Sequence, residues 1–361
     1  MPGGGVIRAP FSWLAEWADL AEAVGPRELS EALIRVGLEV ERIETGADGL
    51  SGPIVVGRVL SAVPEPQKNG KTINWCQVDV GEQQPRGIVC GAHNFAAGDL
   101  VVAALPGSVL PGGFAISARK TYGHISDGMI CSTRELGIGD DHQGILALPT
   151  NAGEPGADAL DVLGLREAVL EIAVTPDRAH CLSMRGLARE AAGALAVEFR
   201  DVADQVAAPP PDDLGYPVSV SDPVGCDQFS ARAVTGLDPA APSPDWMVHR
   251  LAQCGVRSIS LPVDVTNYVM LETGQPLHAF DRAKVTGALG VRRATPGERL
   301  TTLDGSERAL DPADLVVTDD TGPIALAGVM GGRSTEIDAA TSEVILEAAH
   351  WQPASISRTV R

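Results

Sequence analysis

The stretch from Asp264 to Asp281 reads DVTNYVMLETGQPLHAFD, and it mixes polar and apolar side chains more closely than a plain core segment does. Asp, Thr, Asn, Glu, Gln and His stand among Val, Tyr, Met, Leu and Phe within eighteen positions. An unpaired buried donor or acceptor costs about 1–3 kcal/mol, so these polar groups need partners if the segment is buried. The stretch is therefore the first place to look for a functional site.

The composition predicts a multidomain chain without a membrane segment. At 361 residues, and with roughly 100–200 residues per domain, two or three domains are expected. Hydrophobic residues make up 44% of the chain, yet no run approaches the ~20 apolar residues that span a bilayer. The N-terminus lacks a basic-then-apolar signal pattern. We therefore predict a cytoplasmic protein with no membrane partner.

The cysteines and the spacing of possible ligands give no sign of a metal site. Six cysteines are scattered along the chain without a C-x-x-C pair, which argues against a zinc ribbon and a disulfide framework. No cluster of His, Asp and Glu has metal-ligand spacing, and no nucleophile elbow marks a Ser-His-Asp triad. We predict that this chain binds no metal or cofactor of its own.

The net charge of −19 opposes broad binding of nucleic acid, because phosphate contacts need Lys and Arg. The charge is uneven, however. Residues 41–151 carry eight Lys and Arg against eleven Asp and Glu, a net of −3, and can present a local basic face. Any RNA contact made by this chain alone should be weak and shared with other parts of a larger assembly.

Local patterns predict a helical start followed by a strand-rich region. Residues 28–36 form a helical stretch that Gly37 can end. From about Glu41 the pattern changes to short β-type runs, such as Ile54–Val56 and Cys76–Val80, separated by Gly and Pro turns. Several short strands with such turns are typical of a small barrel or sandwich.

Helical character returns after residue 151. From Met184 to Leu195 apolar residues recur at i, i+3, i+4, i+7, i+8 and i+11, the stripe of one helix face. Residues 201–217 contain three consecutive prolines and several acidic residues, so we predict a linker there. Strand-like and helix-like runs alternate beyond it, which favours an α+β domain. The last residues look like the first turns of a helix without a cap, so we expect the chain to be truncated after residue 361; a natural end is the alternative.

Two stretches of the strand-rich region carry a resemblance. Trp75–Gly113 (WCQVDVGEQQPRGIVCGAHNFAAGDLVVAALPGSVLPGG) and Gly128–Gly137 (GMICSTRELG) resemble the OB-fold tRNA-binding module shared by several synthetases. Such barrels bind oligonucleotides across a strand face and flanking loops. Nearby cations are candidates for phosphate contacts, although each of them alone can equally be a solvated surface charge. These candidate tRNA-binding residues are Lys68, Lys71, Arg86, Arg119, Lys120 and Arg134.

Three further stretches carry a second resemblance: Glu171–Gly193 (EIAVTPDRAHCLSMRGLAREAAG), Ala325–Gly332 (ALAGVMGG) and Ile345–Trp351 (ILEAAHW). Together with Asp264–Asp281 they resemble the β subunit of bacterial phenylalanyl-tRNA synthetase, where Asp264–Asp281 would line the site that hydrolyses wrongly charged tRNA. The resemblance thus implies an aminoacyl-tRNA ligase subunit with an editing site.

The segment Glu171–Gly193 departs from the family pattern at two positions. The usual pattern has Asn where this chain has Asp177, and Asp where it has His180. Asp can cap a turn as Asn does, but His180 reverses the sign of the usual side chain. We predict a scaffolding role for this segment, with Arg178 and Arg185 in salt bridges.

The resemblance also implies the architecture: a multidomain α+β chain with an OB-fold β-barrel inserted in a small split N-terminal α+β domain, followed by a mixed α/β editing domain of the B3/B4 type. We expect residues 1–40 with 152–200 to form the split domain and 41–151 the barrel. The linker is then 201–217, and the editing domain is 218–361.

Hydrolysis of an ester needs a positioned water, a group to orient or deprotonate it, and a donor for the oxyanion. Thr266, Asn267 and His278 supply a hydroxyl, an amide and an imidazole, and Glu347 is the acid we place against a substrate hydroxyl. The backbone near three glycines can approach a ligand closely. The candidate substrate-binding residues are therefore Gly328, Gly331 and Gly332.

Each candidate has a structural alternative. His278 can be a buried core histidine, and Thr266 and Asn267 can cap a helix. Glu347 can form a salt bridge, for example to Arg333 or Arg358. For Asp264 and Asp281 we favour local capping or pairing over chemistry.

The resemblance implies an α₂β₂ enzyme in which the α subunit, with ATP and Mg²⁺, attaches phenylalanine to tRNA(Phe). The present chain would bind tRNA and hydrolyse mischarged Tyr-tRNA(Phe), and should not aminoacylate by itself. Two alternatives stay open: a tRNA-binding scaffold with an inactive pocket, and a free-standing deacylase. A stop codon directly after residue 361 would favour the free-standing deacylase.

Overall fold

A computed structural model describes residues 5–20, 24–139, 143–205 and 215–360. The chain divides into two compact units, Met1–Glu41 with Glu171–Arg361 and Arg42–Leu170. Most of the predicted linker at 201–217, with its three consecutive prolines, lies outside the described residues, as does Arg361.

The described residues form eight α-helices and twenty-three strands. The helices are α1 Phe11–Trp17, α2 Pro26–Arg35, α3 Ala159–Val162, α4 Met184–Leu195, α5 Val202–Gln205, α6 Asp245–Gln253, α7 Leu261–Thr273 and α8 Pro353–Thr359. The first twelve strands are β1 Gly5–Pro10, β2 Glu39–Thr45, β3 Ile54–Pro66, β4 Thr72–Asp79, β5 Arg86–Cys90, β6 Leu100–Ala104, β7 Val109–Leu110, β8 Phe114–Ala115, β9 Arg119–Thr121, β10 His124–Ser126, β11 Met129–Ile130 and β12 Ala147–Leu148. The others are β13 Ala168–Val174, β14 Val218–Val220, β15 Cys226–Thr235, β16 Leu277–Asp281, β17 Leu289–Arg293, β18 Arg299–Thr301, β19 Glu307–Ala309, β20 Leu315–Asp319, β21 Gly322–Leu326, β22 Met330–Gly331 and β23 Glu343–Trp351.

The unit Arg42–Leu170 is built on a barrel-like antiparallel sheet. Its strand order is β11-β6-β3-β4-β5, with β12 also paired to β6. Successive residues of a strand point to opposite faces, and β6 buries both faces. Leu100, Val102 and Ala104 join one apolar cluster, while Val101 and Ala103 join another. The predicted strand-rich region is therefore confirmed, and it is a sheet that lies between two cores.

The helices of the other unit follow the predicted patterns. Helix α2 ends at Arg35, and Gly37 follows it with φ of +87°, as predicted. On α4 the apolar stripe is buried, and the Ser183 side chain accepts a hydrogen bond from the backbone N–H of Gly186 at 3.1 Å. This cap satisfies one of the free donors at the start of a helix.

The predicted salt bridges of the scaffolding segment are present. Arg178 lies 3.2 Å from Glu190, and Arg185 lies 2.5 Å from Asp201. His180, where the family pattern has Asp, lies 2.9 Å from the same Glu190. The change of sign at this position is therefore matched by an acidic partner on α4.

Two sheets of this unit enclose a shared core. One has the order β15-β23-β16, and the other has the order β14-β17-β20-β21-β22, in which only the β14–β17 pair is parallel. Fully buried Phe280 and Ile345 from the first sheet join Leu289, Val291 and Val317 from the second in one cluster. Since this core fixes β16 and β23, it also fixes whatever side chains those strands project.

Helix α7 carries most of Asp264–Asp281 and begins earlier than the capping alternative requires. Ser260 is its N-cap residue, and Gly274, with φ of +83°, follows its last turn. Thr266 and Asn267 therefore lie inside the helix, and the interpretation that they cap it is wrong. Near the start of α7, Asp264 accepts hydrogen bonds from the hydroxyls of Ser243 and Ser258, each at 2.5 Å, so its predicted structural role is supported.

Over the described ranges, no helix has the length and apolar character needed to cross a bilayer. All six cysteines are free thiols. The prediction that they form no disulfide framework is confirmed.

Candidate functional site

A cavity of about 970 Å³ opens beside the β15-β23-β16 sheet. It is lined by the loop before β16, the turn that joins β21 to β22, the last residues of β23 (Glu347, Ala349, His350 and Trp351), and the first residues of α8. Most of the lining is apolar, which is typical of small-molecule sites. His278 and Glu347, both predicted as site residues, line it.

The strand register brings His278 and Glu347 together. They are direct partners in the antiparallel β16–β23 pair. Opposite residues of such a pair have Cβ atoms about 4.5–5.5 Å apart and project from the same face of the sheet. Glu347, Ala349 and Trp351 follow at intervals of two and all line the cavity, as a strand period requires.

Neither His278 nor Glu347 has a hydrogen-bond or ion-pair partner in the part of the chain that the structure describes. Glu347 is only 7% exposed, and burial raises its pKa from 4.5 to about 7. Burial likewise lowers the pKa of His278 from 6.5 to about 4. The alternative of a salt bridge from Glu347 to Arg333 or Arg358 is therefore wrong for the described residues.

These pKa shifts define what the pair can do. At neutral pH the imidazole is uncharged and can accept a hydrogen bond from water. A base with a pKa near 4 is weak, so orienting a water is better supported for His278 than complete removal of its proton. Glu347 lies near half-ionisation at neutral pH and can either donate or accept a hydrogen bond in an otherwise apolar wall.

The three predicted glycines have different surroundings. Gly331 lines the cavity, and a Cβ on it would lie 2.5 Å from Cε1 of His278, so the backbone packs against the imidazole. Gly328 also lines the cavity, with φ of +66° and Trp351 adjacent. Gly332 does not line it; its N–H donates to the carbonyl of Ile324 at 2.7 Å. Close backbone packing explains Gly332 without a ligand.

Thr266 and Asn267 are not brought to this cavity. The Thr266 hydroxyl donates to the carbonyl of Val263 within α7 at 2.8 Å, and neither residue lines the cavity. Asp281 is structural, as predicted: it accepts hydrogen bonds from the Ala283 N–H and the Thr341 hydroxyl.

Sequence reasoning missed several lining residues. Gln275 donates to the carbonyls of Pro276 and Ala349, and so connects the loop before β16 to β23. Met330 and Trp351 add polarizable and aromatic walls. The period of two from Glu347 to Trp351 was the signal available for Trp351; no comparable signal marks Met330.

The predicted tRNA-binding cations divide into two groups. Arg86 forms ion pairs with Glu82 and Asp127, each at 2.6 Å. Because these carboxylates already hold its guanidinium, Arg86 has little freedom to contact a phosphate. The other five are exposed and have no carboxylate partner within the described residues. They are Lys68, Lys71, Arg119, Lys120 and Arg134.

One possible metal-binding group escaped the sequence analysis. His180, Cys181 and Glu190 place ligand atoms within 4.8 Å of one another, because a 3₁₀ turn at Pro176–Cys181 packs on α4. Glu190 is already shared by His180 and Arg178, however. Burial also raises the pKa of Cys181 to about 11, which disfavours the thiolate that a metal needs. We assign no metal to this group.

Two family models match separate parts of the chain. Residues 54–158 match the family described as "Putative tRNA binding domain", and residues 225–361 match the family described as "B3/4 domain". The cavity with His278 and Glu347 lies in the second match. These matches place the chain in the class of proteins that combine a tRNA-binding domain with a B3/4 domain.

Named relatives match nearly the whole of this chain. The chain is 57% identical over 359 residues to the phenylalanine–tRNA ligase β subunit of Thermobifida fusca (strain YX). It is 56% and 53% identical to those of Streptomyces avermitilis and Mycolicibacterium paratuberculosis. In each case 98% of this chain aligns with 43% of the relative, so the chain spans less than half the length of these relatives.

The resemblance that the sequence motifs predicted is confirmed: these relatives are phenylalanine–tRNA ligase β subunits, and they match 98% of this chain. A solved N-terminal fragment of the phenylalanyl-tRNA synthetase β subunit from Pyrococcus horikoshii aligns with a TM-score of 0.30 at 13% identity, over 52% of this chain and 57% of that one. That similarity is too low to add to the assignment.

Proposed function

We propose that this chain is part of a phenylalanine–tRNA ligase. Its barrel-like unit, an OB-fold in this proposal, binds tRNA(Phe), and the His278–Glu347 cavity hydrolyses Tyr-tRNA(Phe). One observation supports the proposal most directly. The buried carboxyl group of Glu347 and the imidazole of His278 lie opposite each other on neighbouring strands, line an apolar cavity and have no hydrogen-bond partner among the described residues. Polar groups left without partners in a protein interior are costly, so a ligand that pairs with them gains affinity.

The chemistry of the wrong substrate fits these two groups. A hydrophobic pocket built for phenylalanine rejects an added hydroxyl by only ~10²-fold, whereas a pocket that hydrogen-bonds a hydroxyl can reject the analogue without it by ~10⁴–10⁵-fold. Glu347 supplies the hydrogen-bonding group for a phenol, and the apolar lining contacts the ring. His278 orients water toward the ester.

Thr266 and Asn267 are not among the catalytic residues of this proposal. Their position inside α7 gives neither of them a contact with the cavity, so we assign them no catalytic step. Gly331 is assigned a positioning role, because its backbone sets the place of the His278 ring.

The proposal also covers the assembly. An α subunit would carry the synthesis of Phe-tRNA(Phe) with ATP and Mg²⁺ in a cytoplasmic α₂β₂ enzyme. No residue of this chain is assigned to ATP or Mg²⁺.

The test is hydrolysis of Tyr-tRNA(Phe) by this chain, with Phe-tRNA(Phe) as the matched substrate. The proposal predicts faster loss of tyrosine, and equal rates with wild type and His278→Ala would refute it. Binding of tRNA without hydrolysis of either ester, even with the α subunit added, would leave only a scaffolding role.

A further inference from the structure

Phe114 is a large aromatic residue that the barrel-like unit leaves 49% exposed. It begins β8, directly after the 3₁₀ turn Pro111–Gly113 that joins β7 to β8. Gly112 and Gly113 both have left-handed φ values, +76° and +77°, which a residue with a side chain rarely adopts. The turn thus presents the ring at its end rather than folding it into either core.

Two adjoining cavities meet at this ring. One has a volume of about 230 Å³ and the other about 410 Å³, and Phe114 and Met129 line both. Arg119 lines the smaller cavity, and Arg134 lines the larger. The ring therefore stands between two recesses with apolar floors, each of which carries one arginine.

Both arginines are available for an anion. Among the described residues neither has a carboxylate partner. The Arg119 guanidinium lies over the Phe114 ring, with its carbon 5.7 Å from the ring centre, so a base would stack on the other face of the ring. Glu135 also lines the larger cavity, but its carboxylate accepts hydrogen bonds from the N–H and hydroxyl of Ser132, at 2.6 and 2.8 Å. The acidic group is thus engaged by its own turn.

We propose that Phe114 is a stacking site for one unpaired base of an RNA chain whose neighbouring phosphates are bound by Arg119 and Arg134. This inference rests on the proposed tRNA-binding function and names the contact. An aromatic face accepts any base by stacking, and cations beside it pair with the backbone, which together bind single-stranded nucleic acid without reading its sequence.

The test measures binding of tRNA(Phe), and of a single-stranded RNA oligonucleotide, over a range of salt concentrations. Stacking on an aromatic side chain contributes ~1–3 kcal/mol per base, so Phe114→Leu should weaken binding roughly 5- to 150-fold. Phe114→Trp keeps an aromatic face at this position and should bind with the wild-type affinity. Leu60→Ala, which changes another exposed apolar residue that lines neither cavity, should bind like the wild type.

The salt dependence separates stacking from charge. Phe114→Leu should leave the slope of log K against log salt unchanged, because the ring neutralises no phosphate. Arg119→Gln and Arg134→Gln should each reduce the slope by roughly 0.7–1. A general loss of folding would change all of these values together and would not be rescued by tryptophan.

The outcomes distinguish the inference from the function on which it rests. If the wild-type chain fails to bind tRNA, the proposed function fails and the inference fails with it. If it binds and Phe114→Leu binds equally well, only the stacking site is overturned. Polyglutamate offers negative charge without bases; Phe114-dependent binding of polyglutamate would assign the surface to an acidic protein and overturn the RNA assignment.

Discussion

Glu347 in the cavity and Arg119 on the barrel-like unit are the charged groups of the two candidate sites, and their surroundings differ. Glu347 is buried without a partner, and its pKa rises to about 7. Arg119 is exposed, beside a half-exposed ring. Burial makes a single group decisive for selectivity, because Glu347 is the only carboxyl group among the described residues that line the cavity. An exposed cation acts only as one of several, and salt screens it. Mutations in the cavity should therefore have large and specific effects, and those on the barrel-like unit should have small and additive ones.

The largest effect is expected at His278. His278→Ala should lower the single-turnover rate of Tyr-tRNA(Phe) hydrolysis by roughly 10²–10⁴-fold, the usual contribution of a positioned acid–base group. Binding of tRNA should not change, because the barrel-like unit is untouched. Mutation to Ala of His249, which is exposed on α6 and does not line the cavity, is the matched control, and a similar loss there would argue against a special role for His278.

The buried carboxyl group should make stability depend on pH. The pKa of Glu347 is raised from 4.5 to about 7 in the folded chain. Compared with high pH, this difference stabilises the folded chain fully below pH 4.5, and the stabilisation is lost as the pH rises through about 7. Glu347→Gln should be close to neutral at pH 4.5 and should stabilise the chain by roughly 3 kcal/mol at pH 9.

Denaturant unfolding at the two pH values measures this difference. Glu336→Gln removes an exposed carboxylate and should show no such dependence. A Glu347→Gln variant that is equally stable relative to wild type at both pH values would mean that Glu347 is not buried without a partner.

Gly331 tests whether backbone packing positions the imidazole. A methyl group at this position would lie 2.5 Å from His278, so Gly331→Ala should displace the ring and reduce hydrolysis by about 10²-fold, the cost typical of a ~1 Å misplacement. Gly193→Ala meets no neighbour within 4 Å on α4 and should leave hydrolysis unchanged. Equal activity of the two variants would remove the positioning role.

The smallest effects are expected among the cations. Arg119→Gln should reduce the salt dependence of tRNA binding by about one unit of slope, while Arg86→Gln should leave it unchanged because Glu82 and Asp127 already hold that guanidinium. Binding titrations at several salt concentrations measure both. A reduced slope for Arg86→Gln would show that RNA displaces its partners.

Local patterns predicted much of the secondary structure, whereas the family resemblance pointed to the two cavity residues, His278 and Glu347. The stripe on α4, the strands at Ile54 and Cys76, and the end of α2 at Gly37 depend on neighbours in the sequence, so the sequence was sufficient. Other features depend on distant partners. Asp127 lies forty-one positions from Arg86, and no spacing rule predicts that pair.

The cavity shows the same limit. Thr266 and Asn267 lie twelve and eleven positions before His278, but α7 and β16 are different elements, and the turn at Gly274 separates their side chains. Closeness in sequence therefore did not become closeness in space. Gly332 was predicted to contact a ligand, but its backbone N–H donates a hydrogen bond to the carbonyl of Ile324 instead.

The central claim is that Glu347 makes the cavity selective for tyrosine. The most direct measurement is the ratio of hydrolysis rates for Tyr-tRNA(Phe) and Phe-tRNA(Phe), compared between the wild-type chain and Glu347→Leu. We predict that the wild-type chain prefers the tyrosyl ester, and that the variant loses this preference because its rate on the tyrosyl ester falls while its rate on the phenylalanyl ester stays the same. An unchanged ratio in Glu347→Leu would contradict the account.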